Sequence, residues 1–397
     1  YLYTSESVSA GHPDKCADII ADTIVDRLLQ LDPASRVATE VFISGRHIII
    51  GGEVKTSAPV SEGFYRLCAM DALYKIGYPE SGFDETQTLY PDNTHIEVLI
   101  SRQSPDIGLG VEQEGGEIGA GDQGMMIGFA TDETPALMPA ALYYSREIRD
   151  TLYRFALEND TEYGIDIKTQ VTIDYKTKDR FDSNRPAAIK EIVAAIPHSE
   201  NIDIRSVRRR VEEIIAESLK ENPLFDRDRC RFHIDGTGRY VKHSTLADSG
   251  MSGRKIVADT YGAYAPVGGG AQSSKDYTKV DRSGLYAARW LAKHIVASKM
   301  AKKAVVELAY VIGEKSPLNL TVDTMGTSQV AATDEEISEK LASLFPLTPG
   351  WITEKFGLDR PSSERFLYAD VAARGQVGYD DYPWEKLDMV DLFKTLV

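Results

Sequence analysis

Between residues 13 and 30 the apolar positions recur at helical spacing. Ile20, Ile24 and Leu28 fall at i, i+4 and i+8, with Ile19 and Val25 beside them, which predicts an amphipathic helix. Asp18, Asp22 and Asp26 form a polar stripe on it and read as a solvated face, as does the cluster Arg208, Arg209 and Arg210. RVATEVFIS and HIIIGGEVKT read as strands, followed by a helix from about Glu62 to Ile76 and the strand THIEVLIS. After Gly124 the order recurs: strand MMIGFA, helix ALYYSREIRDTLYRFALEN, strands KTQVTIDY and AAIKEIVAAIPH, helix SVRRRVEEIIAESLKEN and strand CRFHID. A third pass places RKIVADTY first, then the helix SGLYAARWLAKHIVASKMA, the strands AVVELAYVIG and PLNLTVDT, and the helix DEEISEKLASLF.

This order predicts an α+β protein of three similar β-α-β-β-α-β sandwich units in pseudo-threefold arrangement, each sheet covered on one face by helices. The units span approximately residues 1–108, 119–232 and 233–397, with strands and helices shared between them.

Composition narrows the function classes. The chain has 397 residues and a formal net charge of −16, so broad attraction to nucleic acid or anionic lipid is not expected. A polyanionic small substrate then requires a local basic pocket. Cys16, Cys68 and Cys230 lie far apart, which argues against a disulfide framework or a zinc site. No apolar run reaches membrane-spanning length, and no signal peptide is legible. The cytoplasm is the expected compartment.

The candidate chemistry sits in polar, glycine-punctuated stretches. In SESVSAGHPDKCAD, Pro13 fits the first helical turn, placing His12 and Asp14 at a helix N-terminus where anions are favoured. His12 is a candidate phosphate contact and Asp14 a candidate Mg²⁺ ligand, with simple helix capping as the alternative. GAGDQG at 119–124 matches G-x-G-x-x-G, but no strand precedes it and no helix follows. It reads instead as a turn presenting Asp122 to a polar group. The acidic, glycine-rich stretch 103–118 before it reads as a mobile lid. DIKTQVTIDY puts Asp166 and Lys168 on one side of a strand. Downstream, Arg239, Tyr240, Asp248, Arg254 and Lys255 crowd a short glycine-rich segment, and GGGAQSSKDYTKVDR adds Lys275, Lys279 and Asp281. These are cations for a triphosphate and carboxylates for a metal, without the G-x-x-x-x-G-K-[ST] loop. No Ser-His-Asp or Cys-His arrangement is legible.

GHPDK, GAGDQG, D-x-K, SGRK, GGGAxSxKD, K-V-D-R and YPWEK stand in the order and spacing of the methionine adenosyltransferase (S-adenosylmethionine synthetase) family. The chain resembles that family over nearly its whole length. The resemblance implies synthesis of S-adenosylmethionine from ATP and L-methionine by sulfur attack on C5′, then hydrolysis of tripolyphosphate to pyrophosphate and phosphate. It implies His12, Lys168, Arg254 and Lys275 as catalytic residues. Asp166, Arg239, Tyr240, Asp248, Lys255 and Ala271 would join them in binding ATP. Glu53, Gln103, Asp122, Asp248 and Lys279 would bind methionine. Asp14 and Asp281 would hold Mg²⁺, two ions per site, and Glu40 would hold K⁺. A homo-oligomer, dimer or tetramer, with sites shared between subunits is implied as well. Gln272 and Ser274 depart from the family's glycine-rich loop, Phe129 from a frequent tyrosine, Tyr240 from a frequent phenylalanine, and AYAPV lacks a common Arg-His pair. Every charged position is kept, so the resemblance implies an active enzyme.

Overall fold

The computed structural model describes residues 1–102, 119–176 and 185–396. Three sheets form its frame. The first sheet contains β2 (Arg36–Ser44), β3 (His47–Lys55), β4 (His95–Arg102) and β9 (Gly250–Met251). The second contains β1 (Leu2–Val8), β6 (Lys168–Tyr175), β7 (Pro186–Ala195) and β8 (Arg231–Ile234). The third contains β5 (Gly124–Thr131), β10 (Lys303–Tyr310) and β11 (Asn319–Asp323).

The sheets are built by cyclic exchange. The strand opening each unit leaves for the edge of another unit's sheet: β1 pairs with β6, β5 with β10, and β9 with β2, all antiparallel. The next pairs, β2–β3, β6–β7 and β10–β11, are also antiparallel, and β3–β4 and β7–β8 are parallel. One pattern therefore repeats, its fourth strand missing from the third sheet among the described residues. RKIVADTY is not the third opening strand. That role falls to Gly250–Met251, and Ile256–Asp259 forms the short helix α5. β1 has no counterpart in the sequence expectation, because ESV and its neighbours alternate too weakly to stand out.

Each unit's long helix packs on its own first strand and on the strand received: α1 (Pro13–Leu31) on β2 and β9, α3 (Ala140–Glu158) on β1 and β6, and α6 (Val280–Ala297) on β5 and β10. The remaining helices are α2 (Glu62–Ile76), α4 (Ile204–Ser218), α7 (Asp334–Leu344), α8 (Pro349–Phe356), α9 (Tyr368–Arg374) and α10 (Val390–Lys394). Ile20, Ile24, Leu28, Leu142, Ile148, Trp290 and Leu291 are buried in one continuous core, each large side chain contributing about 1.5–3 kcal/mol. YPWEK closes over α6: Trp384 stacks on Tyr286 at 3.7 Å, and Glu385 receives Arg289 and Lys293.

The aspartate stripe is the main correction to the pattern. Asp18, Asp22 and Asp26 are buried, not solvated, because α1 has neighbours on every side. Asp26 accepts the amides of Tyr368 and Ala369 at 2.8 and 2.9 Å, tying α9 to α1. Arg209 and Arg210 are exposed as expected, whereas Arg208 is half-buried and donates to the Ile234 and Asp235 carbonyls.

Candidate active site

The turn before α1 is held from below. Ser9 donates to the Ile165 carbonyl, and Tyr78 donates to the Gly11 carbonyl. A Cβ on Gly11 would lie 2.4 Å from the Ile165 oxygen, so glycine is required at this approach. His12 then becomes the N-cap of α1, its Nδ1 accepting the Asp14 amide at 3.1 Å, with Pro13 in the first turn. The proton of the neutral ring is thereby placed on Nε2. Burial, reinforced by Lys255 and Lys168 nearby, lowers the His12 pKa to about 3.

Unfolded chains bind a proton at His12 below about pH 6.5, while the native ring stays neutral, so stability falls as pH drops from about 6.5 toward about 3. Catalysis should see no titration of this ring between about pH 5.5 and 8.5. In the His12→Asn variant, the position of any acid limb in kcat/KM, which reports the free enzyme, is expected to stay put. A limb near pH 6.5 that disappears in the variant would contradict a neutral His12.

Asp14 is the focus of the first cation cluster. Lys255 Nζ lies 2.6 Å from its Oδ2, Arg254 Nε 3.3 Å from Oδ1, and the Met251 amide donates to Oδ1 at 3.0 Å. Burial pushes its pKa up, but the Lys255 bond, the Met251 amide and the nearby charges outweigh it and hold the carboxyl below its ordinary value. The next aspartates of the same stripe fix the loops that carry the site. Asp18 accepts the Gly253 amide at 2.8 Å. Asp22 accepts the Ser274 amide at 2.9 Å and Arg282 through both oxygens at 2.7 and 2.6 Å. Lys15, also buried, pairs with Asp259 at 2.6 Å. These supporting residues were missed by sequence reasoning. The i, i+4 repeat Asp14-Asp18-Asp22-Asp26 on a helix otherwise lined by small and apolar residues was the available signal.

Lys168 opens β6 opposite Val8 and is exposed. Asp166 precedes the strand and is buried, so the two do not share a strand face as expected, although their charges interact. Asp166 Oδ2 accepts the Ser244 amide at 2.9 Å, while its buried Oδ1 has no partner. Burial raises its pKa. Tyr240 uses the hydroxyl that a phenylalanine would lack, donating to the Asp166 carbonyl at 3.1 Å. Arg239 is exposed and pairs with Glu200 at 3.2 Å, and Asp248 is exposed with Oδ1 on the Ser249 amide.

The second cluster lies in the glycine-rich loop. Lys275 Nζ meets Asp281 Oδ2 at 2.7 Å, and Lys279 meets Asp276 at 2.5 Å. A Cβ on Gly270 would lie 2.2 Å from an Asp281 carboxylate oxygen, and one on Gly268 would lie 1.8 Å from the Met125 carbonyl. The loop therefore rests against the start of β5. Ala271 packs beside Gly253, linking the two clusters. Lys275 bridges to Ala38 on β2, whose cross-strand partner is Glu53 on β3. Glu40 is exposed on β2 and receives the Ser252 hydroxyl. Asp122 is exposed just before β5. Ser274 takes a left-handed φ of 84°, and the Gln272 amide donates to Gly270 at 2.9 Å. Gln103 and the stretch 103–118 lie outside the described residues.

Among the described residues no group of three or more His, Cys, Asp or Glu is gathered for a metal. Asp14 and Asp281 are single carboxylates beside lysines. Such a donor set fits Mg²⁺, which keeps several waters and bridges one or two carboxylates to substrate phosphates. No helix among the described residues is long and apolar enough to cross a membrane.

Comparison with known proteins finds likeness to one family along nearly the whole chain. Residues 1–105, 117–240 and 243–386 match the N-terminal, central and C-terminal domains described for S-adenosylmethionine synthetase. The chain is 42% identical to an S-adenosylmethionine synthase of Zymomonas mobilis, covering 100% of this chain and 98% of that protein. It is 39% identical to one from a Sulfurovum species, again over 100% and 98%. A solved structure, an unusual S-adenosylmethionine synthetase from Campylobacter jejuni, superposes with a TM-score of 0.94 at 52% identity, covering 100% of this chain and 99% of that one.

Proposed function

Because the chain belongs to the S-adenosylmethionine synthetase family, we propose that it joins ATP to L-methionine by direct attack of the thioether sulfur on C5′ and then hydrolyses the released tripolyphosphate. The observation that carries this reading is the pair of cation clusters, Arg254 and Lys255 at Asp14 and Lys275 at Asp281. A thioether is already nucleophilic and has no proton to lose, so the protein needs neither an activated nucleophile nor a base. Alignment of sulfur with C5′ supplies roughly 7–11 kcal/mol in favourable cases, and cations on the leaving oxygens supply the electrostatic part.

In this reading His12, Lys168, Arg254, Lys255 and Lys275 bind the triphosphate, His12 donating from Nε2. Tyr240 stacks on the adenine, and Asp166 offers its unpaired oxygen to the nucleoside. Glu53, Gln103, Asp122, Asp248 and Lys279 hold methionine. Mg²⁺ on Asp14 and Asp281 would neutralise charge on the phosphates when bound, and Glu40 would take K⁺. The cytoplasm, where both substrates are made, suits the reaction.

The site is shared between two copies. The outer face of the first sheet carries Met251, Phe42 and Ile49 side by side in register, with Leu99 two residues beyond Ile49's partner Glu97, and Leu99 and Met251 are exposed. A second copy on this face would cover apolar surface that a solvated sheet does not normally present.

Incubation with ATP, L-methionine, Mg²⁺ and K⁺ should yield S-adenosylmethionine, pyrophosphate and phosphate by mass. ATP consumption that proceeds equally without methionine would refute the reaction. For the metal assignment, Asp14→Asn and Asp281→Asn should each raise the Mg²⁺ requirement by about tenfold, since an amide is a poorer ligand for a hard dication. Wild-type Mg²⁺ titration curves in both would remove these residues as ligands.

A further inference from the structure

The turn from Tyr78 to Thr88 belongs to neither cation cluster, yet it brings a buried carboxylate against a buried imidazole. Glu80 Oε1 lies 2.8 Å from His243 Nε2 and also accepts the Ile165 amide at 2.9 Å. Its Oε2 accepts the Thr88 hydroxyl at 2.6 Å. The other ring nitrogen, His243 Nδ1, lies 2.8 Å from the Val241 carbonyl, which has no proton to give. Both nitrogens thus face acceptors, whereas a neutral imidazole carries one N–H. Satisfying both contacts takes one proton more than a neutral imidazole beside a carboxylate carries, and on the ring that proton makes the imidazolium with Glu80 as its countercharge. Burial alone would lower the His243 pKa, but Glu80 reverses the direction and raises it, while His243 holds Glu80 below its ordinary value against burial.

The pair sits behind the nucleoside end of the candidate site. Glu80 grips the amide of Ile165, next to Asp166, and His243 precedes Ser244, whose amide holds Asp166 Oδ2. Three residues before His243 on the same segment, Tyr240 is fixed by its hydroxyl on the Asp166 carbonyl and by a two-way contact with His198. Phe83 packs edge-on against the His243 ring at 4.8 Å. A Cβ on Gly164 would lie 2.8 Å from His243 Nε2, so the backbone before Asp166 closes directly on the pair.

We propose that the buried Glu80–His243 ion pair is a positioning device that fixes Asp166 and Tyr240 together, so that an unpaired carboxylate oxygen and an aromatic ring meet the nucleoside of ATP in one geometry. The proposal rests on the ATP reading above. Other titratable or charged groups around the pair are Tyr78 on its turn, Cys16 on α1, Tyr153 on α3, Asp166 with Lys168 at β6, and Tyr240 on the His243 segment. The stabilisation by a raised histidine pKa is fully present below about pH 6.5 and is lost as pH rises through the folded value.

Glu80→Gln tests the charge without changing the shape. A glutamine oxygen that keeps the Ile165 amide brings no countercharge to hold the second proton on His243, and turning its amide toward Nε2 abandons Ile165. Affinity for a non-reacting ATP analogue, read by calorimetry, is expected to fall about tenfold, with the methionine KM within about twofold of wild type. Glu80→Asp, which keeps the charge, should recover part of the loss. Histidine-selective ¹⁵N spectra of the wild-type protein should show His243 with both nitrogens protonated at about pH 6.5, where an ordinary histidine is already half neutral. A neutral His243 there, or a folded Glu80→Gln protein with wild-type nucleotide affinity, would overturn the proposal, and so would an equal loss for methionine. Should Glu80→Gln fail to fold, Glu80→Asp and the wild-type spectrum decide. Failure of the ATP reading looks different: the wild-type protein itself then binds no analogue and forms no S-adenosylmethionine, and the proposal falls with it.

Discussion

Lys255→Met is expected to lower kcat for S-adenosylmethionine formation by about 10²–10³-fold, the usual effect of removing one preorganised charge from a developing anion. Lys255 is held 2.6 Å from Asp14 and is only partly exposed, so its position is fixed before substrate arrives. Methionine makes the thioether, not the anion, so its KM should change little. Arg254 and the Met251 amide still face Asp14 in the variant, which keeps the carboxylate partnered and the fold intact. Product quantified by mass at saturating substrates reads the effect. A loss below about threefold would take Lys255 out of the reacting centre.

Arg282→Met is expected to cost about 3–5 kcal/mol of stability in denaturant unfolding, because it strands a buried carboxylate. Arg282 and Asp22 are both fully buried and joined through both oxygens, and Arg282 also caps the Lys275 carbonyl at 2.9 Å and stacks over Tyr368 at 4.4 Å. Removing the charge leaves Asp22 with the Ser274 amide alone. Replacing both, as in Asp22→Leu with Arg282→Met, should restore part of the stability while leaving the 273–275 loop without its contacts to Asp22 and Arg282. Turnover should therefore stay low in the double variant even where stability returns. A single variant losing less than about 1 kcal/mol would show that the pair does not hold the loop.

The long helices and most strands were legible because their periodicities are strong and their ends carry clear signals, such as Gly77 after α2 and the Thr333–Glu336 capping box on α7. Period alone could not tell that β1, β5 and β9 exchange sheets, since pairing partners are set by tertiary closure. RKIVADTY misled for a related reason: the strand it displaced, Gly250–Met251, is two residues long, and no pattern resolves that. The Asp18–Asp26 stripe misled because charge on a helix usually means solvent, while here each carboxylate replaces solvent with backbone amides or an arginine. The charged candidates around Asp14 and Asp281 were legible through motif order. Glu80 and His243 were not, being 163 positions apart with no motif between them.

The central claim is that one chain contributes to two different sites, with His12, Lys168, Arg254, Lys255 and Lys279 from one copy meeting Asp248 and Lys275 from its partner. His12→Ala and Lys275→Ala, each nearly inactive alone, can be unfolded together and refolded as a mixture. In a mixed dimer one site then carries both lesions and the other carries none. Activity should return to about a quarter of wild type under random reassortment with independent sites. Mixed dimers confirmed by mass that show no recovery would contradict the shared site for this pair.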